Sequence, residues 1–148
     1  MASKNEEELR RLSVELRYLE QTAETIQTRV NMINAVITDL TYASMTLEGL
    51  EKEKENSELF VPIGGNSYIK ARLESRDKVI VGMGAGVSIE KTLQEAKEIL
   101  KKRLENLEKT RLSLQQQLNQ VAERINEDRE KFEDLVAKMR EEKSVKDV

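Results

Sequence analysis

The chain of 148 residues contains no cysteine, no histidine, no tryptophan and only one proline. Without His or Cys there is no thiolate nucleophile, no imidazole base and no zinc site built from the usual nitrogen and sulfur ligands. An enzyme, a metal site and a cofactor are therefore not expected. No disulfide can brace the fold, which fits a reducing compartment. Long apolar runs are missing as well. The uncharged apolar stretch Val79 to Val87 carries three glycines and falls far short of the roughly 20 residues of a membrane span. Met1 to Arg11 is polar and acidic and lacks a signal-like apolar stretch, so the expected location is cytoplasmic. A formal net charge of −3 argues against a nucleic-acid partner, because binding phosphates needs a clustered basic surface.

What is present points to long helices. Ala, Glu, Lys, Leu and Arg account for 74 of the 148 residues, the composition of coiled coils. Charged residues make up 36% and hydrophobic ones 38%, too little apolar material for a single compact core, so it must be laid out along a line. In the first flank apolar residues alternate at steps of three and four: Leu9, Leu12, Leu16, Leu19, Ala23, Ile26, Val30, Ile33, Ile37 and Leu40, then Ser44 and Leu47. That is a heptad seam. Ser3 or Asn5, followed three residues later by Glu6 or Glu8, marks the start as a capping box. The second seam runs Leu104, Leu107, Arg111, Leu114, Leu118, Val121, Ile125, Asp128, Phe132, Leu135 and Met139, extended upstream by Leu93 and Leu100. Arg111 and Asp128 interrupt it. Thr92 with Glu95 opens this helix, and Lys143 to Val148 reads as a frayed tail. Glu7 and Arg11, Glu98 and Lys102, Glu105 and Lys109, and Glu127 and Lys131 stand at the spacing of surface ion pairs.

Between the flanks the period changes from 3.5 to 2. Five of the six glycines and the only proline fall between Pro62 and Gly86, a sharp boundary in composition. Leu59, Val61 and Ile63 alternate with their neighbours, and Tyr68 to Leu73, Lys78 to Val81 and Val87 to Ile89 read as further strands. Gly64-Gly65-Asn66, Ser75-Arg76-Asp77 and Met83-Gly84-Ala85-Gly86 supply the turns. The expected fold is α+β but mainly α, in three parts. Residues 1–57 and 91–148 form a long antiparallel two-helix coiled coil, and residues 58–90 form two β-hairpins inserted where one helix passes to the other. If Leu50 faces Leu93, facing residue numbers sum to about 143, and each helix of the arm is roughly 63 Å long. Two-stranded hairpins are marginal alone and their edges are adhesive. The strands are therefore expected to complete a barrel-like body with other chains.

Val61-Pro62-Ile63-Gly64-Gly65-Asn66-Ser67-Tyr68-Ile69, then Lys78-Val79-Ile80-Val81-Gly82-Met83-Gly84-Ala85-Gly86-Val87 and Glu95-Ala96, resemble the α-class subunit of archaeal prefoldin. Two hairpins favour that class, since β-class subunits have one. The resemblance implies a hexamer of two α and four β subunits with a double β-barrel body and six coiled-coil tentacles. It also implies capture of unfolded polypeptides without ATP and transfer to a chaperonin. On this basis Leu59, Val61, Ile63, Tyr68, Ile69, Val79, Val81 and Val87 are the expected oligomer interface.

Several sharper motifs dissolve on inspection. Gly82-Met83-Gly84-Ala85-Gly86 follows a strand, but a dinucleotide-binding loop needs its third glycine where Val87 stands, so a hairpin turn is the better reading. Glu6, Glu7 and Glu8 suit a helix N-terminus rather than a cation, and Lys101-Lys102-Arg103 is a solvated face. The apolar seam at the terminal ends of the helices is different, because a two-helix coil leaves its ends uncovered. Leu9, Leu12, Leu16, Phe132, Leu135, Val136 and Met139 are expected to be partly open there and to contact unfolded clients, with several arms gripping one client through avidity. A self-associating filament and a passive coiled-coil scaffold are the competing readings.

Overall fold

The computed structural model describes residues 3–146. Two helices bracket four strands in the order α1 (Lys4–Glu51), β1 (Glu58–Gly64), β2 (Ser67–Arg72), β3 (Lys78–Gly84), β4 (Val87–Thr92) and α2 (Leu93–Lys146). The chain divides into two compact units, one of residues 1–34 and 109–148 and the other of residues 35–108. Helix ends follow local chemistry. Ser3 caps α1: its hydroxyl accepts the Glu6 backbone N–H at 3.2 Å, satisfying one of the donors a helix start leaves free. Thr92 serves α2 in the same way, accepting the Glu95 N–H at 3.1 Å. α1 finishes at Glu51 in a tightened turn, with Lys52 and Glu53 donating to the carbonyls of Gly49 and Leu50. α2 continues to Lys146 through most of the segment expected to fray; Asp147 and Val148 lie outside the described residues. Of the four ion pairs expected from spacing, none is among the salt bridges of the described residues. Arg11 reaches Glu8 at 2.6 Å instead. Such exposed pairs are worth at most about 1 kcal/mol, too little for spacing to dictate which forms.

In the unit of residues 35–108, β1 pairs antiparallel with β2 and β3 with β4, as two separate two-stranded sheets. β4 reaches Thr92, three residues beyond the strand expected from pattern, so it runs directly into α2. The hairpins repeat one another twenty positions apart. Glu58 pairs with Arg72 as Lys78 does with Thr92, and Val61 pairs with Ile69 as Val81 does with Ile89. Both shift register at the same place, between Pro62 and Gly64 and between Gly82 and Gly84. Three successive residues have positive φ in each turn: Gly64, Gly65 and Asn66 in one, Gly84, Ala85 and Gly86 in the other. Paired central residues with positive φ match the right-handed twist of the flanking strands. The core of this unit is Leu47, Val81, Leu93, Ala96 and Leu100, with Leu40, Ala43, Val79 and Ile99 packed against it. It joins both helices to β3. The Arg103 guanidinium fixes the same strand by donating to the Gly82 carbonyl at 2.8 Å.

In the unit of residues 1–34 and 109–148, Ile26, Val30 and Leu114 form the core, with Ile33, Leu118 and Val121 around it. The helices run antiparallel within it, since Asn34 meets Arg111 while Glu15 meets Arg124. Arg111, one of the two polar breaks in the seam, is accommodated because its guanidinium turns aside to donate to Asn34 Oδ1 at 3.2 Å. Asp128, the other, is only 2% exposed, and its Oδ2 has no hydrogen-bond partner among the described residues. The Arg11 guanidinium lies close enough to interact with this carboxylate, which offsets part of the cost of burying it.

Candidate functional site: an open hairpin and an open seam end

The first candidate surface is the β1/β2 hairpin. Period-2 alternation places Leu59 and Val61 on one face with their partners Ala71 and Ile69, and Phe60 and Pro62 on the other with Lys70 and Tyr68. Neither face is covered. Val61, Ile63, Tyr68 and Ile69 are all exposed, as is Phe60, which the pattern reading left out. Leu59 is half-buried. Val87, on the second hairpin, is exposed as well. Val79 and Val81 depart from the expectation for this surface. Their side chains face the helices, Val81 is 6% exposed, and both pack on the Leu47, Leu93, Ala96 and Leu100 cluster of their own chain. Ile80, Met83 and Ile89 are exposed on that hairpin along with Val87. Ile80 stands in the opposite phase of the alternation from Val79 and Val81, a phase that sequence cannot choose without knowing which face meets the helices, whereas Ile89 pairs with Val81 and shares its face.

With two sheets of two strands, every strand is an edge. Unpaired edges with exposed Val, Ile, Phe and Tyr are adhesive surfaces that stable proteins cover. Pro62 removes one edge donor and is tolerated because β1 is an edge strand. The hairpin base is firm: Asn56 donates to the Leu73 carbonyl at 2.7 Å and Leu73 to the Ser57 carbonyl at 2.9 Å. At the junction of α1 with α2, Lys97 binds Glu51 at 2.7 Å and Gln94 donates to it at 3.0 Å. These donors hold the Glu51 carboxyl below the usual carboxylate range, and the carboxylate in turn raises the Lys97 ammonium.

The second candidate surface is the terminal end of the helix pair. Leu9, Leu16, Phe132, Leu135, Val136 and Met139 are all half-buried. Leu12 differs from its expected openness. At 1% exposed it is the most completely enclosed large side chain of the described residues, because α1 extends two further turns beyond it to Lys4 and α2 extends to Lys146. The helices remain neighbours there, with Ser3, Asn5 and Glu6 lining one groove together with Met139, Glu142 and Lys143. Cross-helix pairs Glu15–Arg124 at 2.7 Å and Glu20–Arg129 at 3.1 Å flank the seam. Arg11 holds the Glu8 carboxyl below its ordinary range by hydrogen bonding. Val14 and Tyr18 are exposed on the outer side of α1. They stand outside the heptad seam, so reading the seam alone misses them. Among the described residues no group of His, Cys, Asp or Glu is arranged to hold a metal ion, and no helix is long and apolar enough to cross a membrane.

Two helices joined through two β-hairpins is an order that a known family shares. The profile of the prefoldin subunit family matches residues 19–138. The chain belongs to the prefoldin family. Its relatives place it in the alpha class of prefoldin. Prefoldin subunit alpha of Methanococcoides burtonii is 35% identical over 125 residues, covering 84% of this chain and 91% of that protein. The Methanosarcina barkeri subunit alpha is 38% identical over 112 residues, 74% of this chain and 78% of that protein. That of Pyrococcus horikoshii is 29% identical over 137 residues, 92% and 93% respectively. Among solved structures, filamentous PFD from Methanocaldococcus jannaschii, determined by cryo-EM, has a TM-score of 0.66 at 26% identity, covering 82% of this chain and 95% of that one. The mainly helical fold with paired hairpins is thus that of prefoldin.

Proposed function

We propose that this prefoldin subunit is a cytoplasmic, non-enzymatic holdase that binds unfolded polypeptides without ATP at the terminal ends of its helix pair and passes them to a chaperonin. One observation supports the reading. Half-buried apolar residues recur along the seam, as at Ile33, Leu118 and Val121, and at its terminal end six of them, Leu9, Leu16, Phe132, Leu135, Val136 and Met139, keep part of their surface in water. Phe132 offers an aromatic anchor and Met139 a flexible thioether, side chains that adapt to varied apolar targets. Each contact is weak, and several arms on one client convert weak contacts into retention. The bare β1/β2 hairpin, with Val61, Ile63, Tyr68 and Ile69 exposed, together with the outward side of the second hairpin at Val87, is the assembly surface that gathers those arms. Its partners are β-class subunits in an α2β4 hexamer. A second reading, in which identical copies grow into a filament, is favoured by the similarity to filamentous PFD.

Leu9→Ser, Leu135→Ser and Met139→Ser introduced together remove three of the six half-exposed apolar residues without touching the enclosed Leu12. The expected result is an assembly of unchanged mass that fails to suppress aggregation of a denatured client. Undiminished suppression sinks the terminal-grip reading. Native mass of the chain alone, then with a β-class partner added, separates the two assemblies: a ladder of high masses supports the filament, and a small species that becomes a hexamer supports the mixed complex.

A further inference from the structure

Two polar residues stand where the seam calls for aliphatic ones, and both lie in the unit of residues 1–34 and 109–148. Arg111 and Asp128 occupy core positions of the α2 heptad, and each is met by its own partner from α1. The Arg111 guanidinium donates to Asn34 Oδ1 at 3.2 Å. Asp128 is 2% exposed and lies within interaction range of Arg11, which also binds Glu8 at 2.6 Å and Glu15 at 3.8 Å. Glu15 binds Arg124 at 2.7 Å, one helical turn before Asp128. Acid and base therefore face each other in both directions across the two helices. Leucine is the ordinary filling of a core heptad position, and a buried polar layer gains no stability over it. What these layers require is water at their flanks. The Arg11 and Arg124 side chains are 63% and 60% exposed, so both guanidiniums stay hydrated. A further helix laid over them strips that water away, which costs more than exposed pairs contribute. The aliphatic layers set no such limit. Leu9, Leu16, Ile33, Leu118 and Val121 are only half-buried, and another copy of the chain carries the same half-closed stripe. Two such pairs could close each other's seams as a four-helix bundle.

We propose that Arg111 and Asp128 hold this helix pair at two strands by barring the pair of another copy from packing across its half-closed seam. A polar residue at a core heptad position fixes strand number in this way, at some loss of stability. The inference rests on the holdase reading only for its use, since pairs that stay separate remain free to hold one client at several points.

The chain has no cysteine, so Ala122→Cys, at an exposed position next to the seam, gives one site for a nitroxide label on the full-length protein. Distances between labels on different copies are read by double electron–electron resonance, in the chain alone and with a β-class partner added. Arg111→Leu with Asp128→Leu is expected to bring in a short, narrow distance between copies that the unmodified chain lacks, and to raise the melting temperature by several degrees. Asp128→Leu alone should give part of the same change. Arg111→Gln with Asp128→Asn keeps both layers polar and should keep the unmodified distances. An unchanged distance distribution in the first two variants overturns the inference, and so does the short distance appearing in the third. A lower melting temperature in the first variant also overturns it, by giving the layers a stabilising role. No client enters these measurements, so aggregation suppression in the Leu9, Leu135 and Met139 variant decides the holdase reading separately.

Discussion

The two hairpins share register, bulge position and turn conformation, yet one is anchored and the other is bare. Val81 is 6% exposed and its equivalent twenty residues earlier, Val61, is 45% exposed. Both are valines at the same point of an antiparallel pair, so strand propensity cannot account for the difference. Position in the chain does. β4 runs directly into α2, and the Leu93 N–H binds the Asp77 carbonyl at 3.0 Å, which lays β3 against Leu47, Ala96 and Leu100. β1 follows α1 through the turn of residues 52–57 instead and does not join that cluster. One hairpin therefore packs on the helices of its own subunit, and the other leaves its apolar faces uncovered.

The sharpest way to break this comparison is the same substitution at both equivalents. Val81→Asp places a carboxylate in the Leu47, Leu93, Ala96 and Leu100 cluster and should cost about 3 kcal/mol or more, seen as a large fall in melting temperature of the isolated subunit. Val61→Asp should leave that melt nearly unchanged and abolish assembly in native mass measurements. Equal loss of stability in both variants sinks the comparison. Next in size, Leu100→Ala should cost about 2–5 kcal/mol through a cavity, whereas Ile80→Ala, on the exposed side of β3, should stay within about 0.5 kcal/mol; denaturant melts separate them.

A smaller effect lies in the turns. Gly65 and Ala85 occupy equivalent positions with φ of 56° and 53°, a region that costs an L side chain about 1 kcal/mol. Ala85→Gly should raise the subunit's melting temperature slightly. Gly65→Ala should leave subunit stability nearly constant and lower hydrogen-exchange protection of Tyr68 and Ile69, because only the bare hairpin loosens. The smallest effect is at Glu51. Its carboxyl is held below its ordinary range by Lys97 and Gln94, so the pair's contribution is present at neutral pH and is lost as pH falls through the depressed value. A melt followed from pH 7 to pH 3 should show Glu51→Gln converging with the unmodified chain at the acid end.

The long helices, the two hairpins and the positions of their turns were readable from periodicity and glycine placement. These are local properties: a heptad seam and a run of positive-φ residues permit few alternatives. The seam register was legible too, since Ile26 and Val30 do pack with Leu114 and Leu118. The face of each strand was not. Alternation groups Val79 and Val81 with Val61 and gives no sign that Phe60 and Ile80 are exposed, because it fixes two faces without saying which one meets a helix. The enclosure of Leu12 was likewise invisible, since it depends on how far both helices continue beyond it. Val14 and Tyr18 stand outside any seam, and their exposure follows only once the enclosed side of α1 is known.

The sequence by itself determined a linear apolar economy of two heptad seams around a β centre and, through its missing His and Cys, the absence of the chemistries those side chains carry. Only the tertiary structure decided which of two near-identical hairpins would be anchored and which left open. The physical reason is that a helix end can cover one sheet face, and connectivity gives that place to the strands leading into α2.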